Sequence, residues 1–489
     1  MKILLVTSEA VPFAKTGGLA DVAGAIPKSL AALGHEVALI LPYYRQAREK
    51  FADQTEDTGI AFPVHLGPDA PVATIRVTRL PNSDVPVYLV DNPGFFDREY
   101  LYTPPEGDYP DNIKRFTFFA KAVLTTTKAL NWAPDLYHCN DWQTALVPAY
   151  LKTTEADTAF HHNSRSVLTI HNLAYQGVFP LDVYPLTGLP DDLKKPMGAL
   201  EFFGKMNLLK GGIIFADVLN TVSRRYAQEI QTEEFGAGLQ DVLAARAREG
   251  NLHGIVNGID YTVWNPAIDP LIPTTYSPDD LAGKAICKAE LQKLNGLPVR
   301  SDVPLIGLIS RLDAQKGLDL VADIAEDLAA LDLQFVLLGT GVQKFQDLLA
   351  SLGTKYPDKL GINITFNNTV AHQIEAGSDI FLMPSRYEPC GLNQLYSLKY
   401  GTVPVVRKTG GLADTIVNCT PTSMGKETAN GFSFESYSSR ALLNTIKRAL
   451  KLYPNRRAWR RLMLIGMRQD WSWDKSARDY LELYKRARA

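Results

Sequence analysis

Twelve short aliphatic and β-branched runs, each ending in a polar or glycine-bearing turn that leads into a helical pattern, constrain this chain more than any other feature. Seven lie at 3–8, 36–41, 85–91, 136–140, 166–171, 218–222 and 254–257, and five more at 304–310, 334–339, 363–367, 380–384 and 403–407. Repeated β-α units predict parallel sheets covered by helices on both faces, because a parallel pair of strands needs a long crossover. Pro266, Pro270, Pro273, Pro278 and Pro298 crowd the stretch between the two series, which reads as a linker carrying one short helix. The expected class is α/β, with two doubly wound domains.

The 489 residues suit that division, at roughly 100 to 200 residues per domain. Hydrophobic residues at 46% and charged residues at 21% exclude disordered, collagen-like and coiled-coil chains. With 51 Lys and Arg against 53 Asp and Glu, the formal charge is −2, so an anionic ligand must be met by local cations. A nucleic-acid partner is not expected. Cys139, Cys287, Cys390 and Cys419 lie far apart, giving neither a disulfide framework nor metal-ligand spacing, and a reducing compartment fits them. Met1 runs almost directly into a strand and no run of about 18 apolar residues occurs, so neither a targeting segment nor a membrane partner is expected.

Lys15-Thr16-Gly17-Gly18-Leu19-Ala20-Asp21 recurs letter for letter as Lys408-Thr409-Gly410-Gly411-Leu412-Ala413-Asp414. Each copy follows an apolar strand and leads into a helical pattern. Paired glycines admit close approach of a ligand to the backbone, and a following helix N-terminus favours an anion. Two readings stand: phosphate-binding loops, or ordinary β-α turns.

Four strand ends carry residues suited to chemistry. Arg311 and Lys316 follow the 304–310 run, where open α/β sheets bind ligands, and a guanidinium fork with an ammonium suits a departing diphosphate; the alternative is a solvated charged loop. Glu388 stands before Pro389 in a stiff turn, either to grip sugar hydroxyls and support a positive sugar centre or to serve a helix N-terminus. Cys390 reads as a packing residue, with no His nearby in sequence. His171, Asn172 and Tyr175 could hydrogen-bond and stack on a sugar, against the alternative of a structural His, while Asp141 after His138-Cys139-Asn140 is a candidate hydroxyl acceptor. No D-x-D pair occurs, so neutralisation by Arg, Lys and backbone N–H is preferred over a metal.

These motifs, with Val256-Asn257-Gly258-Ile259-Asp260 and Trp264-Asn265-Pro266, make the chain resemble the bacterial-type glycogen synthases and the related starch synthases over nearly its whole length. The resemblance implies a GT-B fold, two Rossmann-like doubly wound domains facing a central cleft. It implies an N-terminal domain over 1–263, a linker over 264–301, a C-terminal domain over 302–468, and a helix over 469–489 crossing back to the N-terminal domain. The implied reaction moves glucose from ADP-glucose to the non-reducing end of an α-1,4-glucan with retention. No cofactor and no metal are implied, and the setting is cytoplasmic, or the plastid stroma where a transit peptide has been removed.

By the same resemblance, Glu388, Arg311, Lys316 and His171 carry catalysis. Lys15, Gly18, Asp141, Asn257, Cys390, Gly391, Leu392, Thr409, Gly410, Gly411, Leu412 and Tyr102 contact donor or acceptor, Tyr102 on a looser match. Asn393 departs from the family pattern, where a smaller or apolar residue is expected, and so does Val342, where an acidic one is common. The rival readings are a glucan phosphorylase on the same architecture, which needs a lysine-bound pyridoxal phosphate, and a glucan-binding scaffold without catalysis.

Overall fold

In the computed structural model, which describes residues 1–105 and 107–489, the aliphatic runs form strands of two parallel-cored sheets. The chain divides into one unit of Met1–Val222, Ala227–Ile255 and Trp473–Ala489, and another of Ser223–Tyr226 and Val256–Ser472. The first unit contains β1 (Lys2–Val6), β2 (Glu36–Pro42), β3 (Glu56–Pro63), β4 (Val72–Arg79), β5 (Pro86–Asp91), β6 (Leu136–Asn140) and β7 (Arg165–Ile170). It continues with β8 (Val178–Pro180), β9 (Glu201–Phe202), β10 (Lys205–Asn207), β11 (Val218–Thr221) and β12 (Leu252–Gly254).

Its main sheet runs β12-β11-β7-β6-β1-β2-β5-β4-β3, and β8-β10-β9 form a small separate sheet. Ile3 lies opposite Val37 on one side and Leu136 on the other, both in parallel register. The strand order reverses at β1, from β2 on one side to β6 on the other, which makes the carboxyl ends of β1 and β6 a switch point where ligands bind. The helix Trp473–Arg488 is part of this unit: Trp473, Ala477, Tyr480 and Tyr484 share a core with Ile3, Leu5 and Val167.

The second unit holds β13 (Leu305–Ile309), β14 (Gln334–Gly339), β15 (Leu360–Ile364), β16 (Ile380–Met383), β17 (Val403–Arg407) and β18 (Phe432–Phe434), in the all-parallel order β15-β14-β13-β16-β17-β18. Its switch point lies between β13 and β16, which pair directly. Burial of every residue of β14 and β16 accounts for the apolar runs Phe335–Leu338 and Ile380–Met383, since both faces are covered by other elements.

The sequence reading missed the antiparallel pair β3 and β4. β3 buries none of its residues fully and carries Glu56 and Asp57, so it shows no aliphatic run. Two other expectations shift: the strand expected at 363–367 is β15 at Leu360–Ile364, and that at 254–257 is β12 at Leu252–Gly254. The proline-rich stretch 264–301 belongs to the second unit and contains the 13-residue helix Ala282–Leu294, whose Cys287 and Leu291 are buried. Among the described residues, no helix is long and apolar enough to cross a membrane.

Candidate active site

In the first unit the candidate residues sit on the loops after β1, β6 and β7. Asp141, directly after β6, holds φ at 56°, a left-handed backbone unusual for a non-glycine residue. Residues kept in such conformations cluster at functional sites. Its Oδ1 accepts the His171 N–H at 2.7 Å, and the Asn172 N–H adds a further hydrogen bond. Burial nevertheless raises the Asp141 carboxyl to about 7. His171 Nε2 lies 2.9 Å from Asn140 Oδ1, and burial lowers this imidazole to about 3, so it is neutral at pH 7. His138, two strand residues earlier, has a different setting: its ring lies between Thr169 Oγ1 at 2.8 Å and Tyr484 OH at 2.8 Å, fixing the last helix to the sheet.

Lys15 to Gly18 are exposed and open onto the helix Gly18–Ala32. Lys15 pairs with Asp21 at 2.7 Å. Buried Glu9 accepts hydrogen bonds from Thr16, Gly17 and Tyr102. Burial raises the Glu9 carboxyl above its ordinary value, with these bonds opposing the shift. The sequence reading passed over Glu9; its signal was a lone acid just past the carboxyl end of β1, where the switch-point rule looks for function. Tyr102 turns its hydroxyl to Glu9 at 2.9 Å and packs its ring against Phe116, which meets Trp142 edge-on.

In the second unit the loops after β13 and β16 are laced together. Asp313 accepts the Gln315 N–H at 3.0 Å and shapes the turn Ala314–Lys316. The Arg386 N–H donates to Gln315 O at 2.8 Å, and Gln315 Nε2 donates to Tyr387 O at 3.2 Å. Gly317, at φ +70°, lies so close that a Cβ there would stand 2.1 Å from Pro384 O. This contact brings Lys316 onto Glu388: Nζ donates to Oε2 at 2.7 Å, and Ser385 Oγ donates to the same oxygen at 3.0 Å. Glu388 is thus engaged by two side chains from the strand-end loops, close to the start of the helix Gly410–Thr415. Arg311 is half exposed beside Asp313, 3.4 Å away.

Thr409, Gly410, Gly411 and Leu412 are buried, and the Gly411 N–H donates to Glu388 O at 3.0 Å. Leu412 packs in a core with Val406 and Leu395, which turns its side chain inward. Cys390 is 6% exposed and burial drives its thiol up to about 12, in keeping with a packing residue. The Asn257 backbone bonds this thiol, while Asn257 Oδ1, itself buried, has no hydrogen-bond partner among the described residues. Gly391, at φ +70°, leads through Leu392 into the helix Asn393–Lys399. The departure at Asn393 has a structural use, since its Nδ2 donates to Ile309 O at 2.9 Å and ties this helix to the end of β13. Val342 is 52% exposed at the start of the helix Gln343–Lys355.

Comparison with known proteins gives a consistent result. Residues 2–245 match the family described as the starch synthase catalytic domain, and residues 292–461 match glycosyl transferases group 1. A glycogen synthase of Geotalea daltonii is 48% identical over 485 residues, covering 99% of this chain and 98% of that protein. Glycogen synthase 2 of Geobacter sulfurreducens is 48% identical over 492 residues, covering 100% and 99%. The catalytic domain of starch synthase IV from Arabidopsis thaliana, solved bound to ADP and acarbose, superposes with a TM-score of 0.90 at 32% identity, over 99% of each chain.

Proposed function

Because this chain belongs to the glycogen and starch synthase family, glycosyltransferases with a two-domain GT-B-like fold, we propose that it transfers glucose from ADP-glucose to the non-reducing end of an α-1,4-glucan with retention. The observation that carries this reading is the Lys316–Glu388–Ser385 cluster at the switch point of the second sheet. The cluster sets a cation and a carboxylate side by side, the pair needed where a diphosphate departs from a sugar that becomes positive. ADP in the starch synthase IV structure supports the choice of nucleotide.

In this reading Lys316 and Arg311 stabilise the charge that grows on the leaving diphosphate, and the Thr409-Gly410-Gly411 backbone lines the site beside them. Leu412 anchors that backbone from the core, and Cys390, Gly391 and Leu392 form the turn beside it. Glu388 supports the glucose centre as it approaches an oxocarbenium ion. Asp141 and His171 hold the donor glucose, with neutral His171 acting by hydrogen bonding, and Asn257 is a further contact in the cleft. Lys15 and Gly18 contact the donor, and Tyr102 lies on the acceptor side. With the Glu388 carboxylate held by Lys316, binding of the diphosphate would compete for the ammonium and leave the carboxylate facing the sugar.

The test is transfer of labelled glucose to glycogen from ADP-glucose and from UDP-glucose, in wild type and in Glu388→Gln. ADP-glucose should be the better donor. Glu388→Gln should lose about 100- to 1,000-fold in turnover with little change in thermal unfolding. Equal use of both donors would overturn the nucleotide assignment, and near-native turnover of the variant would remove Glu388 from catalysis.

A further inference from the structure

One buried side chain holds a loop that is otherwise exposed. Glu9 is 4% exposed, yet both of its oxygens are occupied by donors from outside its own strand end. Oε2 accepts the Thr16 N–H at 2.5 Å and the Gly17 N–H at 3.2 Å. Oε1 accepts the Thr16 hydroxyl at 2.6 Å and the Tyr102 hydroxyl at 2.9 Å. An ionised carboxylate offers about four acceptor sites, and these four bonds use them. Burying a carboxylate is unfavourable, and an apolar side chain would serve core packing better. What the carboxylate supplies instead is a fixed path for exposed backbone. Sterics do not supply that path, because a Cβ on Gly17 would meet nothing within 4 Å and its φ of −151° is ordinary extended backbone.

We propose that Glu9 is a positioning residue for glucosyl transfer: its carboxylate holds the Lys15–Gly18 loop in the conformation that meets the donor and ties that loop to Tyr102. The inference rests on the reading of Lys15 and Gly18 as donor contacts. Glu9 itself touches no substrate in this scheme and acts through the loop.

The experiment is a double-mutant cycle in the full chain, with Glu9→Ala, Lys15→Ala and the combined variant. It records kcat/KM for ADP-glucose with glycogen as acceptor, together with thermal unfolding. Glu9→Ala should lower kcat/KM about 100-fold, the scale of a misplaced contact. In the Lys15→Ala background the same change should cost much less, because the contact it positions is already gone. Glu9→Gln should recover most of the loss: its amide oxygen still accepts the Thr16 and Gly17 N–H groups, and the two hydroxyls can turn to accept from the NH₂. If Glu9→Ala does not fold, Glu9→Asp takes its place in the cycle, keeping the charge but falling one methylene short of the loop. Fully multiplicative losses, or near-native kcat/KM in the Glu9 variant, would overturn the proposal. A wild-type protein that transfers no glucose from ADP-glucose would instead overturn the functional reading on which it rests.

Discussion

The two copies of the Lys-Thr-Gly-Gly-Leu-Ala-Asp heptapeptide are held by opposite means. At 15–21 the segment is exposed from Lys15 to Gly18, its first glycine has open space around it, and a distant carboxylate fixes it by hydrogen bonds. At 408–414 the glycines are buried: a Cβ on Gly410 would lie 1.9 Å from Glu388 O, and one on Gly411 would lie 2.0 Å from Cys390 O. The two aspartates also diverge. Asp21 pairs with Lys15, whereas Asp414 accepts the N–H groups of Arg224 at 2.6 Å and Arg225 at 3.1 Å, within its own unit. Identical sequence thus gives a loop positioned by polar contacts in one place and a backbone wedge in the other. Surroundings decide which.

The sharpest test replaces equivalent glycines. Gly411→Ala puts a methyl group into a carbonyl, and Gly410→Ala adds a φ of +44° that alanine resists, so each should cost about 3 kcal/mol or more and displace the Glu388 turn. Gly17→Ala should stay within about 0.5 kcal/mol of wild type. Chemical denaturation of the three variants measures this, and equal losses at 17 and 410 would erase the distinction.

A second comparison sets Asp141 of the first unit against Glu388 of the second, which Lys316 pairs at 2.7 Å. Asp141 has no cation among its named partners, and its folded value of about 7 lies above the ordinary 3.8. The stability it contributes is therefore complete below about pH 4 and is lost as pH rises through about 7. Asp141→Asn removes that titration while keeping an oxygen for the His171 N–H. Its stability should gain on wild type by about 1 kcal/mol or more between roughly pH 5 and pH 8. Urea unfolding at both values checks it, and parallel curves would show that Asp141 does not titrate in this range.

The smallest expected difference is at the aspartates. Asp414→Ala leaves two backbone N–H groups without their acceptor and should cost about 1 kcal/mol. Asp21→Ala removes a partly exposed ion pair and should cost about 0.5 kcal/mol or less. A larger loss at Asp21 than at Asp414 in thermal unfolding would reverse the assignment of roles.

The sequence by itself determined the two parallel sheets, because strands buried on both faces read as apolar runs, as Phe335–Leu338 of β14 and Ile380–Met383 of β16 do. It also marked Lys316 and Glu388, since charged residues just past such runs fall at strand carboxyl ends. It did not find β3, which buries none of its residues fully, or β4, whose buried Ala73 and Ile75 alternate with less buried residues instead of forming an aliphatic run. Nor could it find Glu9, whose partners stand 7, 8 and 93 residues away and are brought to it only by folding. Only the tertiary structure decided that Glu388 belongs to Lys316 and Ser385, and that one heptapeptide is open and the other closed. Hydrogen bonds and steric contacts depend on atoms brought within a few ångströms, whereas local sequence records burial and turns.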